Sequence, residues 1–218
     1  MSIGMRVRSK TADAVILTGA HLGVCVWLFW LVTVAMPLRD SASPYVTESL
    51  ADFKSDQPLI DKTMSILPLA VRRSVASVRI NDDNDHYASG ENADAHCHGN
   101  RVVCIKTYVL DNHLSTLWHE AGHAYHKYLN DKGSDFEKRW LSVSGGVLTD
   151  YGRTSPNEDI AEWNREFYQA ISGENSVFGL IYDFRPYRQK LELLRQYGFV
   201  SDDDYRRFII NFPMLTSF

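Results

Sequence analysis

The stretch TLWHEAGHAYHKYL, residues 116–129, contains two histidines four positions apart with a glutamate after the first. In an α-helix, His119 and His123 are about 400° apart, so their imidazoles lie on one face, one turn apart. Such a pair can bind one Zn²⁺ ion at about 2.0–2.1 Å. Glu120 lies about 100° around the helix, where it can take a proton from zinc-bound water without being a ligand. The stretch predicts half of a zinc site on a helix over 113–130, and an ordinary amphipathic helix is the open alternative.

The third ligand has to come from elsewhere, because a catalytic zinc site has three protein ligands and one open position. The segment DYGRTSPNEDIAEWNREF, 150–167, predicts a helix over 156–172. Glu158 falls at its third position, and Glu162 follows one turn later on the same face. We expect Glu158 to bind zinc and Glu162 to orient a ligating imidazole through its second ring nitrogen. In the alternative, Ser155 and Glu158 form a capping box and Glu162 is the ligand.

The two segments resemble a known family. HEAGHAYHKYL followed by YGRTSPNEDIAE is similar to the catalytic domain of anthrax lethal factor and the related Pro-Pro endopeptidases, zinc peptidases of the HExxH-plus-Glu (gluzincin) type. That family has a tyrosine seven residues before the ligand glutamate, as Tyr151 stands before Glu158 here. The resemblance implies three zinc ligands: His119, His123 and Glu158. It makes Glu120 the general base and Tyr151 the donor to the oxyanion, although Tyr151 can also be a packing aromatic.

Other histidines of the chain are weaker candidates. His126 lies on roughly the same helix face, but two turns of one helix cannot wrap three ligands around an ion, so we expect either a surface residue or one that lies behind the ligands. The polar segment 81–100 contains His86, His96 and His98, which could form a second metal site. Because that segment predicts a long loop, it gives no ligand spacing on a defined element.

The remaining pattern predicts an α+β fold: a helix-rich, zincin-like metallopeptidase domain with a small sheet over 59–218. The stretch RVVCIKTYVL, 101–110, is the strongest strand signal, and SVASVRI, 74–80, is another. The family resemblance implies that residues 101–108, within the first stretch, form an edge strand that pairs with substrate, with an ordinary buried strand as the alternative. Further helices are expected over 59–67, from Pro68, and over 135–143, 186–197 and 201–212.

The N-terminal residues 1–37 predict a membrane anchor or a signal segment. Three basic residues precede an uncharged run over 14–36, which spans about 34 Å as a helix, enough to cross a bilayer. The basic flank places the N-terminus inside and the catalytic domain in the periplasm or outside the cell. A signal peptide cleaved near 33–35 is the alternative, which makes the protein secreted. Residues 38–58 predict a linker with a short helix near 47–53.

The charge and the cysteine content of the chain limit the classes of partner and the compartment that are expected. The formal charge of −4 and the lack of a basic cluster exclude a nucleic-acid binder. Cys97 and Cys104 can form a disulfide in an oxidising compartment, or remain two thiols. The sequence therefore predicts a zinc-dependent endopeptidase that acts on protein or peptide substrates and contacts the membrane through its N-terminal segment. The rival hypotheses are an inactive, zinc-stabilised binding module on the membrane exterior and an anchored interaction protein without metal.

Overall fold

The computed structural model describes residues 46–49, 57–81, 95–99, 101–106, 115–181 and 183–213. These residues form a helix-rich α+β fold with a small sheet, as predicted. The elements lie in the order β1 (Val46–Ser49), α1 (Gln57–Ser65), α2 (Leu69–Ser74), β2 (Ser77–Asn81), β3 (Ala95–Cys97), β4 (Val102–Lys106), α3 (Ser115–Asp131), α4 (Phe136–Ser142), α5 (Pro156–Ser172), α6 (Arg185–Gln196) and α7 (Asp202–Asn211), with short 3-10 turns at Tyr151–Arg153 and Val177–Leu180.

The predicted anchor or signal segment, 1–37, lies outside the described residues. Among the described helices, none combines the length and the apolar character that a membrane crossing requires.

The sheet has the strand order β1-β2-β4-β3. Strands β1, β2 and β4 run parallel, and β3 is antiparallel to β4. Strand β1 lies within the expected linker, so the short helix predicted near 47–53 is wrong over residues 47–49. The sequence VTES begins with two β-branched residues, which suit a strand once β2 is available for pairing.

The position of β4 contradicts the prediction that this strand lies at the edge of the sheet. Strand β4 (Val102–Lys106) lies between β2 and β3, so the described part of the predicted edge strand lies inside the sheet. Val103, Cys104 and Ile105 are buried, as in the alternative interpretation. Strand β3 lies at the edge of the described sheet instead, inside the segment predicted to be loop. Three residues of ordinary composition give little local strand signal, and pairing with β4 is what orders them.

Helices α3 and α5 pack closely against each other, which positions the two halves of the site. A Cβ atom added at Gly122 of α3 would lie 3.1 Å from both Cα of Ala161 and Cβ of Asn164 on α5. Asn164 also donates through Nδ2 to the backbone oxygen of Trp118 at 2.6 Å. A side chain at this position of the HEAGH motif would therefore have to displace α5 by a few tenths of an ångström, because the two helices are already in contact there.

Candidate metal centre

Helices α3 and α5 bring the expected ligands together. His119 and His123 lie one turn apart on α3, and Glu158 lies in the first turn of α5. The Nε2 atoms of the two histidines are 3.1 Å apart. Oε2 of Glu158 is 3.1 Å from Nε2 of His119 and 3.3 Å from Nε2 of His123. The three atoms form a nearly equilateral triangle.

This triangle fits a metal ion with three protein ligands. Two ligand atoms that each lie about 2.0–2.1 Å from a tetrahedral zinc ion are about 3.3 Å apart. The observed separations of 3.1–3.3 Å are close to that value. Two imidazoles and one carboxylate are a known catalytic zinc donor set and leave one position open. His119, His123 and Glu158 could therefore hold a metal ion.

The structure at the start of α5 distinguishes between the two interpretations, in which either Glu158 or Glu162 is the ligand. Ser155 accepts a hydrogen bond from the backbone N–H of Glu158 at 3.2 Å, so half of the capping box forms. The Glu158 carboxylate does not complete that box, because it lies against the imidazoles of His119 and His123. Glu162 lies on the opposite side of the His119 ring, at Nδ1.

Glu162 is a buried carboxylate with both oxygens engaged. Its Oε1 is 2.8 Å from Nδ1 of His119. Its Oε2 accepts hydrogen bonds from Thr149 Oγ1 and from an Arg165 guanidinium nitrogen, each at 2.7 Å. This contact fixes the ring orientation of His119 and leaves its Nε2 facing Glu158. Sequence reasoning missed two of these partners: the i+3 spacing could have indicated Arg165, but Thr149 carries no local signal.

The ligand charges stabilise one another when no metal is bound. Burial disfavours a charged His119, but hydrogen bonds with Glu158 and Glu162 outweigh this and raise its pKa to about 9. Burial also opposes the charge on Glu158, yet hydrogen bonds with His119 and His123 lower the pKa of Glu158. At neutral pH a proton on His119 therefore takes part of the place that a metal cation would take.

Glu120 lines the cleft beside the ligand triangle. Its side chain is buried, and Oε2 has no hydrogen-bond partner among the described residues. Burial raises the pKa of Glu120, although the nearby His119 and His123 oppose this shift. A buried carboxylate oxygen without a protein donor is rare in folded proteins and makes Glu120 a candidate for a chemical role.

Tyr151 lies at the rim of the site, in the 3-10 turn before α5. Its ring centroid is 5.8 Å from that of His119, and its side chain lines the same cleft. The residue is 54% exposed, so it is not a packing aromatic. Burial of part of the ring, followed by the charge of Glu158, raises the pKa of Tyr151 to about 12. Its hydroxyl therefore keeps its proton at neutral pH.

An open cleft of about 410 Å³ lies over the ligand triangle. Helix α3, the start of α5 and the edge strand β3 all contribute to its walls. The lining side chains are Ala95, His96, Cys97, His98, Gly99, His119, Glu120, His123, His126, Lys127, Asn130, Tyr151, Ser155, Asn157 and Glu158. One cleft is thus lined by the candidate ligands, by Glu120 and Tyr151, and by the sheet edge β3.

His126 is buried rather than a surface residue. Its Nε2 lies 3.2 Å from Oε2 of Glu137 and 3.1 Å from Nδ2 of Asn130. Its ring also makes an edge contact with Phe136 at the start of α4. The expected surface position is wrong because α4 covers this turn of α3. Burial lowers the pKa of His126.

Cys97 and Cys104 are two separate thiols in the structure, which agrees with the second of the two alternatives that the sequence left open. The register of the antiparallel pair explains why: Cys97 pairs with Val103, whereas Cys104 pairs with His96. Cys97 and Cys104 therefore point to opposite faces of the sheet. Burial, followed by the charge of Glu120, raises the pKa of Cys97 to about 12.

Comparisons with protein-family models, with curated proteins and with solved structures find no match to this chain. The inference of function therefore rests on the residues of the site.

Proposed function

We propose that this chain is a zinc-dependent endopeptidase with His119, His123 and Glu158 as its metal ligands. The observation that carries the proposal is the ligand triangle with the buried carboxylate of Glu120 beside it. A structural zinc site is closed by four protein ligands, whereas a catalytic site keeps one position open. Three ligands that face an open cleft therefore favour catalysis.

Glu120 is the proton carrier in this proposal. A bound zinc ion supplies Lewis acidity, which lowers the pKa of a coordinated water and polarises a substrate carbonyl. The Glu120 carboxylate accepts a proton from the attacking water and then delivers it to the amine that leaves. Burial supports both steps, because a carboxyl whose pKa is raised toward the working pH can both take up and release a proton.

Tyr151 supplies a hydrogen bond to the carbonyl oxygen as negative charge develops there. Its phenol is a donor at neutral pH, since its pKa is raised to about 12. Its exposed position at the cleft rim leaves it accessible to a substrate that lies in the cleft. A donor in this role contributes most when charge accumulates in the transition state.

The substrate is proposed to be an extended protein or peptide segment. Strand β3 lines the cleft and lies at the edge of the described sheet, with β4 paired on its other side. An extended chain can add to such an edge through backbone hydrogen bonds. The role expected for residues 101–108 therefore passes to β3.

The proposal follows the resemblance of the two motif segments to the lethal factor and Pro-Pro endopeptidase family, and a zincin-like fold remains a prediction from that resemblance. A location at the membrane exterior, or secretion, is a prediction from residues 1–37, as is membrane contact through that segment.

The decisive experiment compares the zinc-loaded full-length chain with Glu120→Gln on a degenerate peptide library, with the products identified by mass spectrometry. We expect the wild type to cleave internal peptide bonds and Glu120→Gln to lose at least about 10²-fold in rate. Zinc content should be the same in both proteins, because Glu120 is not a ligand. The exposed Glu174→Gln serves as a matched control and should keep full activity.

Three outcomes contradict the proposal. Equal cleavage by wild type and Glu120→Gln would exclude Glu120 as the base. Zinc binding without any cleavage would favour the inactive binding module. A chain that binds no zinc after metal is supplied would favour an interaction protein without metal.

A further inference from the structure

A cluster of metal-binding side chains lies on the sheet, apart from the ligand triangle. His96 of β3 pairs directly with Cys104 of β4, so their side chains lie on the same face. His98 follows two positions after His96, and its Nε2 lies 2.9 Å from Nε2 of His96. The two rings meet edge to face, with centroids 4.3 Å apart. Their nitrogens and Cys104 Sγ all lie within 4.8 Å of one another.

The donor atoms of these three side chains indicate which kind of metal ion could bind. Two imidazoles and one thiol suit zinc, whereas Mg²⁺ and Ca²⁺ prefer oxygen ligands. In a tetrahedral zinc site two nitrogens are about 3.3 Å apart, and a nitrogen and a sulfur about 3.6 Å apart. The separation of 2.9 Å between the two imidazole nitrogens is within a few tenths of an ångström of that geometry. Side-chain rotation would bring the three ligand atoms, which lie within 4.8 Å of one another, onto one ion.

The three ligands differ in how deeply they are buried. Cys104 is buried, His96 is partly buried and His98 is exposed. An ion can therefore enter from the His98 side while Cys104 anchors it against the sheet. The neighbouring thiol, Cys97, packs toward the hydrophobic core on the opposite face and cannot reach this cluster.

We propose that His96, His98 and Cys104 form a second zinc site with three protein ligands and one open position, which links the edge strand β3 to β4. The ion would fix the strand that forms one wall of the cleft, since His96 and His98 line that cleft as well. This site stands independently of the proposed peptidase activity, because its ligands are separate from the His119, His123 and Glu158 triangle.

The test uses metal titration of the full-length, metal-free chain with Zn²⁺, and with Co²⁺ as a spectroscopic probe. We expect two equivalents of zinc per chain. Cobalt at the second site should give a thiolate-to-metal charge-transfer band in the near ultraviolet, which a ligand set of two histidines and a glutamate cannot produce. Cys104→Ser should lose the band and one equivalent of zinc. Cys97→Ser, the matched control, should keep both.

Two further variants separate the sites and guard against misfolding of Cys104→Ser. His98→Ala changes an exposed side chain, so the fold should persist while affinity for the second equivalent falls more than about tenfold. His123→Ala should lose the other equivalent and retain the cobalt band. The proposal is overturned if the wild type binds one equivalent without the band, if both cysteine variants keep or both lose it, or if His98→Ala binds two equivalents unchanged.

Discussion

Nδ1 of His119 lies 2.8 Å from Oε1 of Glu162, a residue with 0% solvent exposure. Thr149 and Arg165 donate hydrogen bonds to the other carboxylate oxygen of Glu162. The orientation of the His119 imidazole is therefore fixed through its Nδ1 atom. Its Nε2 is thereby aimed at the position where His123 and Glu158 converge. The precision of the candidate metal centre therefore depends on a residue that is not itself a ligand.

Replacing Glu162 by Gln is expected to weaken zinc binding by about 10–100-fold, because the amide lacks the charge that orients and polarises His119. Competition with a chromophoric chelator measures this affinity. Glu137→Gln is the matched control, since Glu137 contacts His126 outside the ligand triangle. An unchanged affinity in folded Glu162→Gln would contradict the positioning role.

Replacing Tyr151 by Phe is expected to lower kcat/KM by about 10²–10³-fold with little change in zinc affinity, because only the hydroxyl that would stabilise the oxyanion is lost. Steady-state peptide hydrolysis measures the effect. Tyr128→Phe removes a hydroxyl from a tyrosine of α3 that does not line the cleft, and should leave the rate unchanged. A Tyr151→Phe enzyme with wild-type kcat/KM would remove Tyr151 from the mechanism.

Zinc binding is expected to release about one proton from His119 near neutral pH. The pKa of His119 in the metal-free protein is about 9, above its ordinary value of 6.5, so the ring is protonated at pH 7. Apparent zinc affinity should then rise with pH and level off above about pH 9. Calorimetric titration in buffers of different ionisation enthalpy counts the proton, and identical heats in all buffers would refute its release.

The same shift has a consequence for stability without metal. Because the folded-state pKa of His119 is raised, its stabilising contribution is complete below about pH 6.5 and is lost as pH rises toward about 9. The thermal midpoint of the metal-free protein should fall across this window, and the increase caused by zinc should become larger. Thermal unfolding monitored by circular dichroism tests both trends.

Replacing Gly122 by Ala is expected to destabilise the protein by about 1–3 kcal/mol, because the new Cβ would lie 3.1 Å from the backbone of α5. This cost exceeds the gain of about 1 kcal/mol in helix propensity. Zinc affinity should fall too, since the change separates the helices that carry the ligands. Gly179→Ala, which has open space around it, should change stability by less than about 0.5 kcal/mol. Denaturant unfolding measures the free energy of unfolding of both variants. If the two variants were equally stable, the helices would accommodate the new Cβ at little cost.

The sequence by itself determined the features that depend on local geometry. The four-residue spacing of His119 and His123 places them on one helix face whatever surrounds them, because the helical repeat fixes that angle. Ser155 and Pro156 mark the start of α5 in the same way, through a cap and a fixed φ angle. The class of fold also followed from hydrophobic periodicity, which is a property of each segment alone.

Only the tertiary structure decided the relationships between distant segments. The packing of α3 on α5 assigned Glu158 to the imidazoles and Glu162 to the back of His119, a choice that the cap signal left open. Pairing with β4 made β3 the sheet edge and set the faces of the two cysteines. The choice of strand partners depends on contacts between segments that are distant in the chain, so the local pattern of each segment did not determine it.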